Sequence, residues 1–182
     1  MELIKRHLRE NYDLSSYQIA QIFFLFKTMG SELSKIILMG ILFHDRLPLY
    51  IFSLGVMLCL RCTTGGLHFY TYVGCLLASC LYLWLALAPL SGVFLNRYAA
   101  LFLLLCCILV CYTLAPIASK YRPPFSKKQC ERSKMSASIF IFLYTLVLYI
   151  MPENRYINTG FWIIILHSLQ LIAAKIQKKG AC

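Results

Sequence analysis

The chain contains 182 residues, of which 60% are hydrophobic and 14% are charged, and its mean hydropathy is +0.70. Soluble domains usually carry about 45 to 50% apolar and about 25% charged residues, so this composition argues against a soluble enzyme, a secreted disulfide scaffold or a disordered tail. The net charge is +11, and in a membrane protein such an excess of Lys and Arg usually lies in cytoplasmic loops. No nucleic-acid-binding motif accompanies the charge, so we expect no nucleic-acid partner.

The nine cysteines do not form the pattern of a disulfide framework, because most of them lie inside uncharged apolar runs. An odd number cannot fully pair, and cysteines in such helices are usually small packing residues. We therefore expect mostly reduced thiols and no cofactor.

Residues 1–32 form a cytoplasmic or interfacial segment in this interpretation. A three-and-four spacing of apolar residues recurs within residues 17–29, on a face that contains Ile19, Ile22, Phe23 and Phe26. This spacing indicates an amphipathic helix at the inner membrane interface, and a cytoplasmic extension of the first span fits it equally well.

Residues 33–60 are apolar apart from an interruption at residues 44–48. A single helix would place Asp45 and Arg46 near the bilayer centre, at a cost of roughly 2.5 to 3.5 kcal/mol each. A turn at residues 44–48 between two short spans avoids that cost, although each short span then needs a longer helix or a thinner bilayer.

Four further apolar runs are candidate spans, because a crossing helix needs about 20 residues. Helices are expected because an open sheet edge in lipid leaves backbone groups unpaired. The runs are residues 62–96 (apolar core Leu67 to Leu90), 98–119, 135–152 and 157–174. We therefore predict an all-α polytopic membrane protein with about six transmembrane helices and an amphipathic N-terminal helix. As one domain, residues 1–182 would comprise four spans in 33–119, a basic cytoplasmic loop at 120–134, two spans in 135–174 and a cytoplasmic tail at 175–182.

The distribution of basic residues favours six spans over five. With six spans and both termini in the cytoplasm, 15 of the 18 Lys and Arg residues lie inside, and only Arg46, Arg97 and Arg155 lie outside. With five spans, the better orientation leaves about 10 inside and 7 outside, with Arg46 in the membrane. We expect a multi-pass membrane protein with both ends in the cytoplasm.

One segment combines groups that support chemistry. It runs from Arg61 through the pair Gly65 and Gly66 to His68, and Cys75 follows seven residues later. The glycine pair lets the backbone turn or another chain approach closely. A thiol becomes a good nucleophile when an imidazole takes its proton. On a straight helix His68 and Cys75 would lie about 10.5 Å apart along the axis, too far for a direct hydrogen bond. The pair therefore requires that His68 lie in a loop that folds back over the helix, or that substrate binding reshape the turn at the glycine pair. The alternative is an interfacial histidine and a packing cysteine.

The order of Arg61, Gly66, His68 and Cys75 resembles the motif of the accessory gene regulator B (AgrB) proteins. These are integral membrane cysteine endopeptidases of Gram-positive bacteria that process a quorum-sensing peptide precursor. Length, topology, the amphipathic N-terminal region and the basic central loop extend the resemblance over most of the chain. The resemblance implies that Cys75 is the nucleophile and His68 the general base, with Arg61 and Gly66 as supporting site residues.

The resemblance also implies the partner, an AgrD-like precursor with an amphipathic leader, a signal region and an acidic C-terminal tail. Cys75 would cleave before the tail through an acyl thioester, and an internal Cys or Ser would capture the acyl group as a cyclic thiolactone or lactone. The basic loop 120–134 could attract that tail or anionic membrane lipid, or could serve topology alone. Six short helices offer little bulk to enclose a peptide, which favours a homodimer.

Two other functions remain alternatives, namely a small membrane metal-binding protein and a noncatalytic carrier. A metal site would have to use Cys59, Cys62, His68 and Cys75. Zinc sites usually contain two CxxC pairs, and this set contains only one, so we expect no metal site. A carrier commonly needs ionisable residues inside the membrane, and only His167 qualifies. Because His167 lies near Gln170 on an apolar helix, we expect it to make a helix-to-helix hydrogen bond.

Overall fold

The computed structural model describes residues 30–66, 71–117 and 126–177. Within these residues the chain is all α-helical apart from turns and short connections. The helices are α1 (residues 30–42), α2 (Leu47–Thr64), α3 (Tyr72–Leu87), α4 (Arg97–Leu114), α5 (Lys127–Ile150) and α6 (Arg155–Gln177). The interfacial helix expected within residues 17–29, the residue His68, the first part of the loop 120–134 and the end of the C-terminal tail lie outside the described residues.

The chain divides into two compact units, Met1–Leu42 and Phe43–Cys182. The first contains α1, where the Lys35 ammonium pairs with the Glu32 carboxylate at 2.6 Å, one turn apart. The second contains α2 to α6.

Five of the described helices are long and apolar enough to cross a membrane, and the first of these spans runs from His44 to Thr64. The predicted break in residues 33–60 is present. The helix α1 ends at residue 42, a 3-10 turn covers His44–Arg46, and Pro48 lies in the first turn of α2. The charged residues of this stretch thus lie at a helix boundary, and the predicted all-α, multi-pass membrane architecture is confirmed.

Side-chain caps define where several helices begin. The Ser126 hydroxyl accepts the Gln129 N–H at 3.3 Å, and the Gln129 side chain accepts the Ser126 N–H at 3.0 Å, which is a capping box at the start of α5. The Asn154 carboxamide accepts the Tyr156 N–H at 2.9 Å at the start of α6. Because α5 and α6 extend beyond their apolar runs, these two spans are longer than the sequence pattern suggests.

The last helix, α6, is the centre of the second unit. It packs against α2, α3, α4 and α5. In its apolar stretch of 18 residues 56% is buried, compared with 22% in the corresponding stretch of each of α3, α4 and α5. The outward faces of those helices are apolar and exposed, including Leu77, Leu81, Phe102, Leu105, Leu109, Phe142 and Leu146. Exposed apolar surface of this extent requires lipid rather than water around it.

At one end of the second unit, called here the Ser91 end, α6 holds the connection between α3 and α4. The Asn158 amide donates to the Ser91 carbonyl at 3.1 Å and to the Val93 carbonyl at 3.0 Å. The Trp162 indole N–H donates to the same Val93 carbonyl at 3.0 Å, and Arg46 donates to the Leu87 carbonyl. Carbonyls that no helix satisfies are therefore paired with side chains, as a membrane interior requires.

Close packing between α5 and α6 depends on Gly160. The Tyr144 hydroxyl donates to the Ile157 carbonyl at 2.7 Å and lies over the Gly160 Cα, so that a Cβ there would overlap the hydroxyl oxygen. We predict that Gly160→Ala lowers the free energy of unfolding by about 1 to 3 kcal/mol, the usual cost of overpacking. Thermal unfolding in detergent measures this.

The matched control is Gly55→Ala on α2, where a Cβ would meet nothing within 4 Å. This control should unfold at the wild-type temperature or slightly above it, because Ala favours helix more than Gly does. Equal stability of Gly160→Ala and Gly55→Ala would contradict the packing described.

Candidate active site

At the opposite end, called here the Thr64 end, α2 terminates at a glycine that no other residue could replace without strain. Gly65 has φ +73° and ψ −148°, and its N–H donates to the Arg61 carbonyl at 3.0 Å. A Cβ on Gly65 would lie 2.5 Å from the Ile117 carbonyl oxygen. The expectation that the glycine pair permits a turn and a close approach is confirmed, and Gly65 is the residue that meets both requirements.

The chain after α4 runs beside this turn. The Ile117 N–H donates to the Thr64 carbonyl at 2.9 Å, and Gly65 and Ile117 form an isolated parallel bridge. The end of α2 is thus bonded through its backbone to the segment that follows α4.

A side-chain hydrogen bond joins the same point to α6. Thr64 Oγ1 lies 2.7 Å from His167 Nε2, and both side chains are fully buried. The predicted helix-to-helix hydrogen bond of His167 is confirmed, and its partner is Thr64. The other ring nitrogen, Nδ1, is buried and has no hydrogen-bond partner among the described residues.

Arg61 and Gly66, two of the site residues suggested by the sequence, are brought together with a third residue from α6. Arg61 lies in the last turn of α2 and is half-buried, and Gly66 is buried. A Cβ built on Gly66 would lie 3.7 Å from Arg61 Nε and 3.8 Å from the Gln170 amide oxygen, which are ordinary contact distances. The sequence pattern did not assign Gln170 to this site.

Cys75 lies in the first turn of α3 and is half-buried. Thr71 is the N-cap of this helix. Its hydroxyl accepts the Gly74 N–H at 3.1 Å, and its carbonyl accepts the Cys75 N–H at 3.1 Å. The thiol therefore belongs to a well-defined helix start, next to the positive end of the helix dipole.

The helices α2 and α3 are separate, and residues 65–71 connect them. Thr71 has an extended backbone (φ −107°, ψ 145°), so the helix that contains Cys75 begins at Tyr72. His68 is in the connection by sequence but lies outside the described residues, so its pairing with Cys75 stays a prediction.

Among the cysteines of the described helices, Cys107 and Cys111 are buried, as packing residues are, whereas Cys59 and Cys62 are exposed. Cys130 is disulfide-bonded. The thiols at Cys59, Cys62, Cys80, Cys106, Cys107 and Cys111 are reduced, as expected. Within residues 30–66, 71–117 and 126–177, no three His, Cys, Asp or Glu side chains group closely enough to hold a metal ion.

Basic residues are unequally divided between the two ends of the second unit. Those described near the Thr64 end are Arg61, Lys127, Lys128, Arg132, Lys134 and Lys175. Those near the Ser91 end are Arg46, Arg97 and Arg155. The Thr64 end therefore offers the stronger positive field to an anionic ligand or lipid.

Comparison with known proteins identifies the family. The family model described as Accessory gene regulator B matches residues 2–171, which is nearly the whole chain. The chain belongs to the accessory gene regulator B family. A protein of Clostridium beijerinckii described as AgrB-like is 31% identical over 152 residues, covering 79% of this chain and 74% of the relative. No solved structure matches this chain.

The resemblance inferred from the Arg61, Gly66, His68 and Cys75 motif is confirmed at the level of the family. Membership in the AgrB family assigns the chain to the processing of accessory gene regulator quorum-sensing peptides, with an AgrD-like precursor as the implied partner. The five apolar helices of the described residues agree with a multi-pass membrane protein.

The two glycines of the motif should respond differently to substitution. Gly65→Ala places a side chain against the Ile117 carbonyl, at a backbone conformation that is essentially restricted to glycine. We therefore expect this substitution to lower the free energy of unfolding by about 1 to 3 kcal/mol. Gly66→Ala should leave stability near that of the wild type, because its Cβ meets only ordinary contacts. Thermal unfolding of both variants in detergent compares them, and a less stable Gly66→Ala would contradict this assignment.

Proposed function

We propose that the chain is a membrane cysteine endopeptidase that removes the C-terminal tail of an AgrD-like precursor and cyclises the remaining peptide. The observation that carries this proposal is the position of Cys75 in the capped first turn of α3, directly after the connection that contains His68. AgrB family membership supplies the substrate class.

In the first half-reaction, His68 takes the proton of the Cys75 thiol. The sulfur attacks the carbonyl carbon of the peptide bond that precedes the acidic tail. Negative charge that develops there lies next to the N-terminus of α3, where the helix dipole stabilises it. The C–N bond then breaks, the imidazolium returns the proton to the departing amine, and the peptide is left as a thioester on Cys75.

In the second half-reaction, a Cys or Ser side chain of the precursor attacks the thioester carbonyl. The bond to Cys75 breaks, the nucleophile loses its proton, and Cys75 recovers one, so the products are a thiolactone or lactone and the original enzyme. Exchange of one thioester for another retains most of its free energy, provided that water does not hydrolyse the intermediate. The burial of Thr64 and Gly66 supports a site that limits water on the side of α6.

The charge distribution suggests how the precursor is oriented. Arg61 lies beside Gly66, and the Thr64 end carries the larger set of basic residues, so this end suits the acidic tail. By the positive-inside rule the Thr64 end faces the cytoplasm, as do both termini. A homodimer would provide further walls around the peptide.

Mass spectrometry of an AgrD-like precursor incubated with purified enzyme in liposomes tests the cleavage. We expect the wild type to release the tail, and Cys75→Ala and His68→Ala to lose this activity. The matched control is Cys80→Ala, which removes another half-buried thiol from the same helix and should retain activity. Tail release by Cys75→Ala would show that Cys75 is not the nucleophile.

Alkylation of the thiols tests the pairing of His68 with Cys75 without any precursor. Because the imidazole would raise the reactivity of Cys75, we expect iodoacetamide to modify Cys75 about tenfold or more faster than Cys80, and His68→Ala to remove this difference. Peptide mass spectrometry after short exposures gives both rates in one sample. A Cys75 rate that does not change in His68→Ala would argue against a catalytic pair.

A further inference from the structure

The residue Thr64 is held by groups from three parts of the second unit. Its hydroxyl lies 2.8 Å from the Leu60 carbonyl and 2.7 Å from His167 Nε2, and its carbonyl accepts the Ile117 N–H at 2.9 Å. Because α6 and the segment after α4 both bond to this residue, the last residue of α2 is a fixed point of the fold.

The hydrogen bonds assign the protonation of His167. A hydroxyl has one proton, and the Thr64 hydroxyl donates it to the Leu60 carbonyl at 2.8 Å, the usual bond of a helical threonine. The Thr64 oxygen then accepts from His167 Nε2–H, and Nδ1 keeps a bare lone pair. The reverse arrangement would leave a buried N–H without an acceptor at Nδ1, which folded proteins tolerate less well than an unpaired acceptor.

This buried imidazole is a costly residue for an apolar helix. Nδ1 is fully buried without a partner among the described residues, and unpaired buried polar atoms destabilise the folded state. An apolar side chain of similar size would avoid that cost, so stability alone does not account for His167 at this position.

The position of the bond indicates what it does. Thr64 directly precedes Gly65 and Gly66, and the connection 65–71 leads to the first turn of α3, where Cys75 lies. One turn further along α6, Gln170 lies beside Gly66 and Arg61. The first part of the connection, at Gly66, therefore lies beside α6.

We propose that His167 is a positioning residue for the acyl transfer: by donating to Thr64 it fixes the end of α2 from which the connection carrying His68 departs. This inference rests on the proposed function. The imidazole of His167 does not itself touch the reacting atoms. It sets the starting point of the segment that must present the base to Cys75, and a displacement of about 1 Å at such a point can reduce a rate about 100-fold.

Two pairs of variants separate the hydrogen bond from packing. His167→Leu and Thr64→Val remove the donor and the acceptor, whereas His167→Gln and Thr64→Ser keep a donor and a hydroxyl. Ser168→Ala is the matched control, because Ser168 is the next residue on α6 and is buried but does not bond to Thr64. Its hydroxyl bonds to the Ile164 carbonyl at 3.0 Å and to the Cys107 and Cys111 thiols of α4.

The experiment measures kcat and KM for tail release from an AgrD-like precursor that the wild type cleaves, together with the unfolding temperature and the iodoacetamide rate of Cys75. We expect His167→Leu and Thr64→Val to lower kcat about tenfold to 100-fold and to slow alkylation of Cys75, with KM changed less than about threefold. His167→Gln and Thr64→Ser should recover most of the activity. The double variant His167→Leu with Thr64→Val should be no slower than either single variant, because both remove the same bond.

Several results would overturn the proposal. These are a wild-type kcat in folded His167→Leu or Thr64→Val, an equal loss in Ser168→Ala, or no recovery in the conservative variants. If His167→Leu does not fold, the comparison of Thr64→Val with Thr64→Ser decides the question, because valine preserves the shape of threonine. Failure of the proposed function is recognised separately, since Cys75→Ala would then still release the tail.

Discussion

The end of α2 at Thr64 is the constraint on which the arrangement of the candidate site depends. A helix that ends in apolar surroundings leaves carbonyls without intrahelical partners, and no water is available there to satisfy them. In this chain the Gly65 N–H bonds to the Arg61 carbonyl and the Ile117 N–H bonds to the Thr64 carbonyl. Only a glycine at position 65 allows both the turn and the approach of Ile117. The backbone at which the connection to α3 begins is therefore hydrogen-bonded both to α2 and to the segment that follows α4.

The central helix α6 serves both ends of the second unit in the same way. At the Thr64 end His167 bonds to the last residue of α2, and at the Ser91 end Asn158 and Trp162 bond to carbonyls between α3 and α4. Each of these polar side chains holds the backbone where a helix ends or is absent. These three side chains of α6 thus act as anchors for irregular backbone, so a polar residue in a span of this protein need not mark a transport pathway.

Sequence reasoning was accurate where each residue can be judged against the bilayer separately. The charged pair Asp45 and Arg46 predicted a helix break because a charge is costly in hydrocarbon, and the 3-10 turn His44–Arg46 lies there. His167 predicted a helix-to-helix bond for the same reason. The sequence could not identify Thr64 as the partner of His167, because the two are 103 residues apart. Nor could it place Gln170 beside Gly66, because hydropathy does not encode which apolar helices meet.

The sequence by itself determined that the protein is a helical, multi-pass membrane protein, where its breaks fall, and which residues resemble the AgrB motif. These conclusions follow from transfer costs and spacing, which act along the chain. The tertiary structure alone decided that α6 is central, that Gly65 rather than Gly66 is restricted to glycine, and that Arg61 and Gly66 lie beside Gln170. These features depend on which surfaces touch, and helices that are equally apolar to lipid become distinguishable only by the close packing and hydrogen bonds they make with one another.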